Sequence, residues 1–525
     1  MTNSVGEVKN TEVFFVIGSN TTENHPVIGA QVRQALAKGA KLIVADPREI
    51  DLAKDADVYL QIRPGTNIAL LNGMMHVIIK EDLIAKEYIK QRTVGYEELV
   101  EIVKDYTPEK VAEICNVVAN DIVKAARIYA SKPASILYAM GVTQHKYGTN
   151  GVMTLSNLAL ICGNIGIENA GVNPLRGQGN VQGACDMGGL PDVYPGYQKV
   201  FDEQANEKFA KAWNKGLPLE PGLTIPEMIE GANDGTVKML YIMGENPMVS
   251  DPDISHVKSG LNNLDFLVVQ DIFLTETAEL ADIILPAAAF AEKDGTFTNT
   301  ERRIQKVNKI LQAPGEAKSD WLIMCELAKV LGDDFSVNSA EEIMEEIASL
   351  TPIYGGVSYK RLNNVSLQWP CTSEKHPGTK YLHKGEFSRG KAKIIPIDFV
   401  ESDEAPTKEY PFLMTTGRNL YHYHTRTMTG KTAGNNQKSP HSYVEINPTT
   451  AKKLGIENDD WVVVSSPRGE VKTQAKITEI IGEQVVFMPF HFAEGAANYI
   501  TNTNLDEIAK IPELKVNAVN VKKVD

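Results

Sequence analysis

Cysteine is scarce in this chain, and its spacing excludes the usual local metal sites. The five cysteines stand at positions 115, 162, 185, 325 and 371 of 525 residues. No two are close enough for a C-x2-C or C-x3-C pair, so neighbouring cysteines can form neither a zinc site nor an iron–sulfur cluster. An odd, dispersed set indicates reduced thiols rather than a disulfide framework. Cys115 and Cys325 fall in amphipathic helical patterns, and we predict that both are core residues.

Long apolar runs and an excess of positive charge are also absent. No run approaches the roughly 20 apolar residues that cross a bilayer. The first residues show no basic region followed by an apolar core, which predicts that there is no secretory signal. A formal net charge of -14 argues against a surface for nucleic acid or anionic membrane. The expected location is therefore the cytoplasm, and no internal repeat or low-complexity tract is present.

The first third of the chain carries the pattern of a doubly wound α/β unit. β-rich runs at 13–17, 41–45, 58–62 and 134–140 alternate with helical spacing at 26–38 and 68–79. Each run ends at a polar, proline or glycine turn, and these turns read GSN, DPR, PGTN and GVTQ. Ligands of such sheets bind at the carboxyl ends of the strands. The four turns are therefore candidate binding loops.

Two further regions follow. Runs at 239–243, 266–270 and 283–285 predict a second α/β unit, and the weakly periodic stretch 353–396 predicts irregular structure. From about residue 410, short β-rich runs at 412–415, 443–446, 461–465, 471–477 and 484–489 surround one short helix at 448–454. Several short strands at such spacing predict a β-barrel.

A glycine-rich stretch at 173–191, NPLRGQGNVQGACDMGGLP, separates the two α/β units. It holds five glycines, four side-chain amides and a single arginine, Arg176. Glycine lets the backbone approach a ligand closely, at an entropic cost that an ordinary loop avoids. Composition alone leaves two interpretations open, a long connection or a ligand-binding loop.

The chain resembles the formate dehydrogenase branch of the molybdopterin oxidoreductases. The matching stretches occur in the family's order between Val13 and Asn502, and they are VFFVIGSNTTENHP, VADPR, PGTNIALLN, YAMGVTQH, ICGNIG, NPLRGQGNVQGACDMGGLPDVYPGY, YIMGENP, VVQDIFLTETAELADIILPA, EKDGTFTNTERRIQ, TTGRNLYHYHTRTMTG and FMPFHFAEGAANYITN. RGQGNVQGACDMG and FHFAEGAANYITN are more specific to formate dehydrogenases than to nitrate or sulfoxide reductases. GSN or DPR alone would carry little weight.

The resemblance implies a fold and a cofactor. The implied fold class is α/β, with Rossmann-like doubly wound domains at 1–178 and 179–405 and a double-psi β-barrel at 406–525. The implied cofactor is a bis(molybdopterin guanine dinucleotide) with molybdenum or tungsten. Strand-end loops rich in Gly, Asn, Ser and Thr offer backbone N–H donors to its phosphates. The positions implied to bind it are Gly18, Ser19, Asn20, Glu23, Asp46, Pro47, Arg48, Gly65, Asn67, Gly141, Gln144, Gly177, Gln178, Gln182, Gly244, Glu245, Asn246, Gln270, Asp271, Thr416, Gly417, Arg418, His422, His424 and Asn498.

Individual roles follow from the same resemblance. Asp46 suits a guanine or ribose edge and Arg48 a phosphate, while each taken singly could be an ordinary turn or helix cap. Arg176 matches the arginine that orients the substrate carboxylate. A planar fork with two donors suits formate in a way that a lysine does not. The alternative for Arg176 is a surface ion pair.

The chain departs from the family at one place. Family members carry an N-terminal C-x2-C-x3-C…C site for a 4Fe–4S cluster, and then a metal-ligating selenocysteine or cysteine followed by histidine. Nothing here matches them, since the first cysteine is Cys115 and the first histidine is His25. The expectation is a truncated reading of a selenoprotein that does not oxidise formate alone and is poorly soluble. Its expected partners are formate or carbon dioxide, the missing N-terminal segment, and a ferredoxin, NAD-linked or hydrogenase acceptor.

Two alternatives stay open beside a formate dehydrogenase fragment. One is a pterin-binding subunit without turnover, and the other is a different oxotransferase of the same superfamily. Arg176 in its RGQ context argues against the second of these, because oxotransferases have no formate carboxylate to hold.

Overall fold

The computed structural model describes residues 1–524, which fall into two units. Unit one comprises Met1–Leu175, Val249–Ser255 and residues 381–524, and unit two comprises Arg176–Met248 and His256–Lys380. This division follows packing, and the predicted boundaries of the three domains stay a prediction.

The strands in chain order are β1 Val13–Ile17, β2 Lys41–Ala45, β3 Val58–Leu60, β4 Thr93–Val94, β5 Ala134–Tyr138, β6 Gly171–Pro174, β7 Val193–Tyr194, β8 Gln198–Lys199, β9 Met239–Met243, β10 Phe266–Asp271, β11 Ile283–Pro286, β12 Gly295–Thr298, β13 Arg303–Val307, β14 Leu367–Gln368, β15 Ala392–Lys393, β16 Phe412–Gly417, β17 Tyr443–Ile446, β18 Trp461–Ser466, β19 Gly469–Ile477, β20 Val485–Pro489 and β21 Asn517–Lys523. The α-helices are α1 Thr21–Asn24, α2 Pro26–Leu36, α3 Asn67–Lys80, α4 Lys86–Arg92, α5 Tyr96–Val103, α6 Pro108–Cys115, α7 Ala119–Tyr129, α8 Met140–Thr143, α9 Gly148–Ile161, α10 Val181–Asp186, α11 Glu203–Trp213, α12 Ile225–Asp234, α13 Pro247–Ser250, α14 Ile254–Asn263, α15 Asp320–Val330, α16 Ala340–Leu350, α17 Tyr359–Leu362, α18 Ala433–Lys438 and α19 Pro448–Leu454.

Unit one contains a five-stranded parallel sheet in the order β3-β2-β1-β5-β6. Phe14 and Val16 of β1 pack into one core, and Val13, Phe15 and Ile17 pack into another. Burial on both faces explains why β1 is a continuous apolar run rather than an alternating one. The predicted strands at 13–17 and 41–45 are confirmed, while β3 and β5 end two residues earlier than predicted. β5 ends early because Met140 already begins α8.

The C-terminal part of unit one is a closed six-stranded barrel in the order β16-β20-β17-β19-β18-β21. The predicted barrel is confirmed, and α19 begins and ends where the sequence indicated. Its interior is an apolar cluster that includes Met414, Val462 and Val486. The last strand, β21, was not predicted, although it closes the barrel between β18 and β16.

Unit two contains the parallel sheet β11-β10-β9, the antiparallel sheet β12-β13-β14 and the hairpin β7-β8. The predicted strands of the second α/β unit are confirmed within one residue. Helices α12 and α14 share an apolar core with β10, including Ile229, Val257 and Val269. The glycine-rich stretch is not entirely a loop, because α10 lies inside it.

The cysteines are all free thiols, and Cys115 and Cys325 are buried, as predicted. Among residues 1–524 no helix combines the length and the apolarity that crossing a membrane would require.

The loops after β1 and β5 meet in direct backbone contact. Strand order reverses between these two strands, which makes this the place where such sheets bind ligands. The Gly141 N–H donates to the Gly18 carbonyl over 3.0 Å, and a Cβ on Gly141 would lie 2.5 Å from the Gly18 Cα. No side chain fits between the two loops.

We therefore expect Gly141→Ala to push these loops apart and to lower the free energy of unfolding by about 1–3 kcal/mol, the usual cost of overpacking. Gly434→Ala in α18 is the matched control, because a Cβ there meets nothing within 4 Å. Thermal unfolding of both variants checks this. Equal midpoints for the two would contradict the prediction.

Candidate functional site

An open cavity lies in unit one, where the carboxyl ends of the parallel strands face the barrel. The predicted binding residues that line it are Gly18, Ser19, Asn20, Asp46, Pro47, Arg48, Gly65, Asn67, Gly141, Thr416, Gly417 and Arg418. Residues that we did not predict complete the wall, namely Asn24, Ile50, Ile62, Pro64, Ala139, Met140, His145, Thr415, Phe487 and Lys515. Strand ends far apart in sequence thus form one surface.

Lys515 places an ammonium group at the wall of this cavity. Its Nζ donates to the Thr416 carbonyl oxygen over 2.8 Å, and the residue is 6% exposed. Burial, together with the charge of Arg418, lowers the pKa of Lys515 to about 7, although Asp46 acts in the opposite direction. The ammonium group therefore changes charge near neutral pH unless an anion stabilises it.

Asp46 carries the only acidic side chain in the wall of this cavity. Its Oδ1 accepts from the Arg48 N–H over 2.9 Å, as in an Asx turn. Burial raises the pKa of Asp46 to about 6, opposed by the Arg48 N–H and by the charges of Arg48 and Lys515. In its ionised form this carboxylate offers acceptor oxygens to the N–H edge of a base.

Arg48 makes a bidentate contact between the first sheet and the barrel within unit one. Its Nε and Nη2 donate to the two carboxylate oxygens of Glu445 over 2.9 and 3.0 Å, and its guanidinium lies 3.8 Å from the centre of the Phe487 ring. Burial lowers the pKa of Arg48, but the charge of Glu445 more than reverses this, so the pKa is raised. Two of its three guanidinium nitrogens therefore already bind a carboxylate.

His145 presents a buried acceptor to the same cavity. Its Nε2 lies 2.9 Å from the Gly141 carbonyl, which can only accept, so Nε2 carries the hydrogen and Nδ1 carries a lone pair. Burial lowers the pKa of His145 to about 4, the Gly141 carbonyl raises it, and Lys515 lowers it. Among residues 1–524 its Nδ1 has no hydrogen-bond partner, so it is available to a donor on a ligand.

The predicted barrel histidines lie in an aromatic cluster rather than in the wall of the cavity. His422 Nε2 donates to the Ser439 carbonyl over 2.6 Å, and the His422 ring stands edge-on to Phe492. Burial lowers the pKa of half-buried His424 to about 4. His491 accepts from the Asn419 N–H over 2.9 Å and contacts the His424 carbonyl through Nδ1. The cluster therefore holds neutral rings near pH 7.

Three other predicted residues of unit one lie outside the wall. Glu23 is half-buried in α1, close enough to Tyr443 to raise its pKa. Gln144 is half-buried at the end of α8, beside His145. Asn498 is buried and donates to the carbonyls of Val249 and Ser250 over 2.8 and 2.9 Å.

In unit two, predicted residues lie together at the ends of neighbouring strands β9 and β10. The Gly244 N–H donates to the Gln270 carbonyl over 2.9 Å, and Gly244 has a φ of +65°. Asn246 accepts from Thr277 Oγ1 over 2.8 Å, and Gln270 donates to Asp320 over 2.7 Å. These side chains hold their own loops in place.

The two acidic residues predicted nearby differ in environment. Glu245 is half-buried. Asp271 accepts from the Ile272 N–H over 2.6 Å, and burial raises its pKa.

The predicted substrate loop also belongs to unit two. Arg176, Gly177 and Gln178 are half-buried, and the Arg176 N–H donates to Thr300 Oγ1 over 3.1 Å. Gln182 is buried, and its amide donates to Asp186 and Tyr197 over 2.8 Å each. The Gln182 amide is therefore committed to a buried network.

Lys515 and His145 are the two ionisable residues of the cavity wall that the sequence analysis did not single out. His145 directly follows Gln144 in the matching stretch YAMGVTQH, so the same stretch could have indicated it as a binding residue. Lys515 stands alone in the apolar-rich run ELKVNAVNV, where a lone cation more often marks a snorkelling surface side chain.

Comparison with known proteins identifies the class. The family model "Molybdopterin oxidoreductase" matches residues 1–330, and "Molydopterin dinucleotide binding domain" matches residues 412–518. The chain belongs to the molybdopterin oxidoreductase family and is an oxidoreductase. The dinucleotide-binding match falls on the barrel that supplies Thr416, Arg418 and Lys515 to the cavity.

Relatives named as formate dehydrogenases cover the whole chain. It is 54% identical to "F420-dependent formate dehydrogenase subunit alpha" of Methanocaldococcus jannaschii, over all of this chain and 78% of that protein. It is 42% identical to "Formate dehydrogenase H" of Escherichia coli, over all of this chain and 74% of that protein. The "Assimilatory nitrate reductase catalytic subunit" of Bacillus subtilis is 38% identical, over 99% of this chain and 76% of that protein.

A solved structure agrees with the fold. Acetylene hydratase from Pelobacter acetylenicus superimposes with a TM-score of 0.79, covering 99% of this chain and 79% of its own, at 23% identity. At that identity the likeness concerns the fold alone.

The residues of the cavity fit a pterin dinucleotide. Its pyrophosphate is anionic, and Arg418 and Lys515 offer cationic groups with lowered pKa values that an anion would restore. The Gly18–Gly141 crossing lets backbone rather than side chains form this edge of the cavity, at the strand ends where such sheets bind ligands. Asp46 and the His145 Nδ1 add acceptors for base or pterin N–H groups.

The Arg48–Glu445 pair predicts a large asymmetry in stability. Glu445→Gln removes the carboxylate from a buried guanidinium, which costs about 3–5 kcal/mol of unfolding free energy. Lys476→Met breaks the other ion pair of Glu445, at 3.1 Å, where the lysine side chain is 49% exposed, and this costs at most about 1 kcal/mol. Urea unfolding of both variants measures the difference. A Glu445→Gln cost within the range of Lys476→Met would contradict it.

Anion binding in the cavity should weaken as pH rises. Lys515 loses its charge above about pH 7, and Asp46 gains one above about pH 6. A bound phosphate stabilises the charged ammonium, so binding takes up a proton above pH 7. The Kd for guanosine diphosphate should then rise by up to about tenfold per pH unit.

Calorimetric titration between pH 6 and 8.5 tests this with Lys515→Met as the control. His145 and Arg418 face the same cavity, and neither changes charge in that range. The variant should bind weakly at pH 6 and lose the decline above pH 7. The same slope in both proteins would contradict the assignment to Lys515.

Proposed function

We propose that this chain is the catalytic polypeptide of a formate dehydrogenase, in which formate becomes carbon dioxide, one proton and two electrons, or the reverse. The cofactor would be a bis(molybdopterin guanine dinucleotide) with molybdenum or tungsten. The observation that carries the proposal is Arg176 in its RGQ context, together with relatives of 54% and 42% identity named formate dehydrogenases.

Arg176 would bind the substrate. A guanidinium donates two parallel hydrogen bonds to a carboxylate, which fixes the plane of formate and hence the direction of its C–H bond. Only one side chain in the glycine-rich stretch before α10 is cationic, and its backbone is held by Thr300. The nitrate reductase relative at 38% identity binds another planar anion, so family membership alone does not select formate.

The chain's other residues would hold the cofactor. In unit one, Lys515 and Arg418 would bind its phosphates, and Asp46 would accept from guanine N–H groups. Arg48 would act mainly through Glu445, by keeping the loop 46–48 against the barrel. The loops at Gly244 and Asp271 in unit two are proposed for a second dinucleotide. When bound, the metal–pterin centre supplies the two-electron redox chemistry.

Electron partners are part of the proposal. Ferredoxin, an NAD-linked subunit or a hydrogenase would accept the electrons, and the name of the M. jannaschii relative adds F420. No group of three or more metal-ligating side chains occurs among residues 1–524, and we assign no iron–sulfur ligand to them.

The proposal predicts a substrate-specific defect. In the assembled enzyme that contains this chain, Arg176→Lys keeps the positive charge but removes the two parallel hydrogen-bond donors of the guanidinium. We therefore expect kcat/KM for formate to fall about 10- to 100-fold. Formate-dependent reduction of an artificial acceptor measures this, with pterin and metal content determined on the same samples. Arg33→Lys at an exposed ion pair is the control. Unchanged kcat/KM at full cofactor content would refute the role of Arg176.

The chain by itself is expected to bind the cofactor without oxidising formate. Expression of these 525 residues in a cofactor-replete host, followed by the same assay, tests that expectation. Turnover by this polypeptide alone would show that it needs no further metal ligand.

A further inference from the structure

Unit two buries a carboxylate that the proposed chemistry does not use. Asp186 ends α10 and is 0% exposed. It accepts from Gln182 Nε2 and Tyr197 Oη at Oδ1 over 2.8 Å each, and from Tyr354 Oη at Oδ2 over 2.6 Å. All three donors are uncharged. A buried carboxylate is costly unless its lone pairs are bonded, so these contacts are obligatory.

The two tyrosines are fixed as donors. Burial raises the pKa of Tyr354 and of Tyr197 far above the ordinary value, and the charge of Asp186 raises both further. Tyr354 is 1% exposed and its hydroxyl also lies 3.1 Å from Thr298 Oγ1. Tyr197 has a φ of +62°, a strained conformation for an aromatic residue that surrounding contacts must maintain.

This network continues into the loop that carries Arg176. The Thr298 N–H donates to Asn180 Oδ1 over 2.8 Å, and the Arg176 N–H donates to Thr300 Oγ1 over 3.1 Å. Both threonines lie at the end of β12 or just after it. Hydrogen bonds therefore run from Asp186 through Tyr354 and Thr298 to Asn180.

We propose that Asp186 is a positioning residue, which clamps the loop 176–186 to the end of β12 and so fixes the backbone from which the Arg176 guanidinium extends. Asp186 makes no direct contact with substrate in this scheme. The hydrogen-bond geometry alone supports the clamp. Its effect on formate binding rests on the proposed function.

Asparagine cannot replace this carboxylate without loss. Asp186→Asn turns one acceptor oxygen into a donor that faces a tyrosine hydroxyl or the Gln182 amide. At least one buried polar group is then unsatisfied. Tyr354→Phe is milder, since it removes only the link between Asp186 and Thr298.

Trypsin cleavage after Arg176 reports the clamp directly, without any cofactor. Cleavage at a native site follows the equilibrium of local opening when opening is fast. We expect the cleavage rate at Arg176, relative to that after Lys215 in the same unit, to rise about tenfold in Asp186→Asn and about fivefold in Tyr354→Phe. Tyr359→Phe is the matched control, a buried tyrosine of the same cluster whose hydroxyl takes no part in the network.

Formate separates this inference from the proposed function. Formate bound at Arg176 should slow its cleavage in the native chain, and the half-protecting concentration should rise at least about fivefold in Tyr354→Phe. Faster relative cleavage in both variants without formate supports the clamp, whether or not formate protects. A relative rate unchanged from Tyr359→Phe overturns the clamp. Absence of formate protection in the native chain counts against the role of Arg176 only.

Discussion

The contact between Gly18 and Gly141 is the constraint on which the rest of unit one depends. Two parallel strands on either side of the strand-order reversal send their loops through the same point, and only backbone fits there. The Gly141 N–H donates to the Gly18 carbonyl and the Gly18 N–H donates to the Ala45 carbonyl, so these amides hold the two loops together at the edge of the cavity. The position of the cavity follows from topology, and the cations that the barrel adds to its wall favour the binding of an anion.

A buried ion pair is among the contacts that join the barrel to this sheet. Arg48 and Glu445 are separated by almost 400 positions, and both of their charges are buried. Such a pair is weak evidence for net stability. Its two partners nevertheless depend on each other, because removing either one leaves a buried charge without a counter-charge. An apolar contact would tolerate sliding of the barrel over the sheet. The bidentate pair, with the Arg48–Ile481 bridge beside it, holds the loop of Asp46 against the barrel that carries Lys515.

Much of the fold could be predicted from the sequence, because short-range patterns of apolar and turn residues mark the strands. β1 and β2 are short apolar runs bounded by turn residues, and their predicted limits were right. β21 was missed because Asn517 and Asn520 interrupt its apolar alternation, and only the folded barrel gives buried Asn517 its partners at Met414 and Asn502. Twelve predicted residues line the cavity because strand ends converge. Gln182 and Asn246 instead serve their own loops, and no sequence pattern distinguishes an amide that binds a ligand from one that binds its neighbours.

The net charge of the chain predicts the charge of its outer surface but not the charge of the cavity. A chain of net charge -14 repels polyanions from its exterior. The cavity of unit one nevertheless gathers Arg48, Arg418 and Lys515 around a single carboxylate. Two of these cations have lowered pKa values, which means that the folded chain holds them at a cost. Lys515 also donates to the Thr416 carbonyl, so part of its role is structural. A bound anion would stabilise the charged forms of Lys515 and Arg418, and the grouping of these cations in one wall is what favours an anionic ligand.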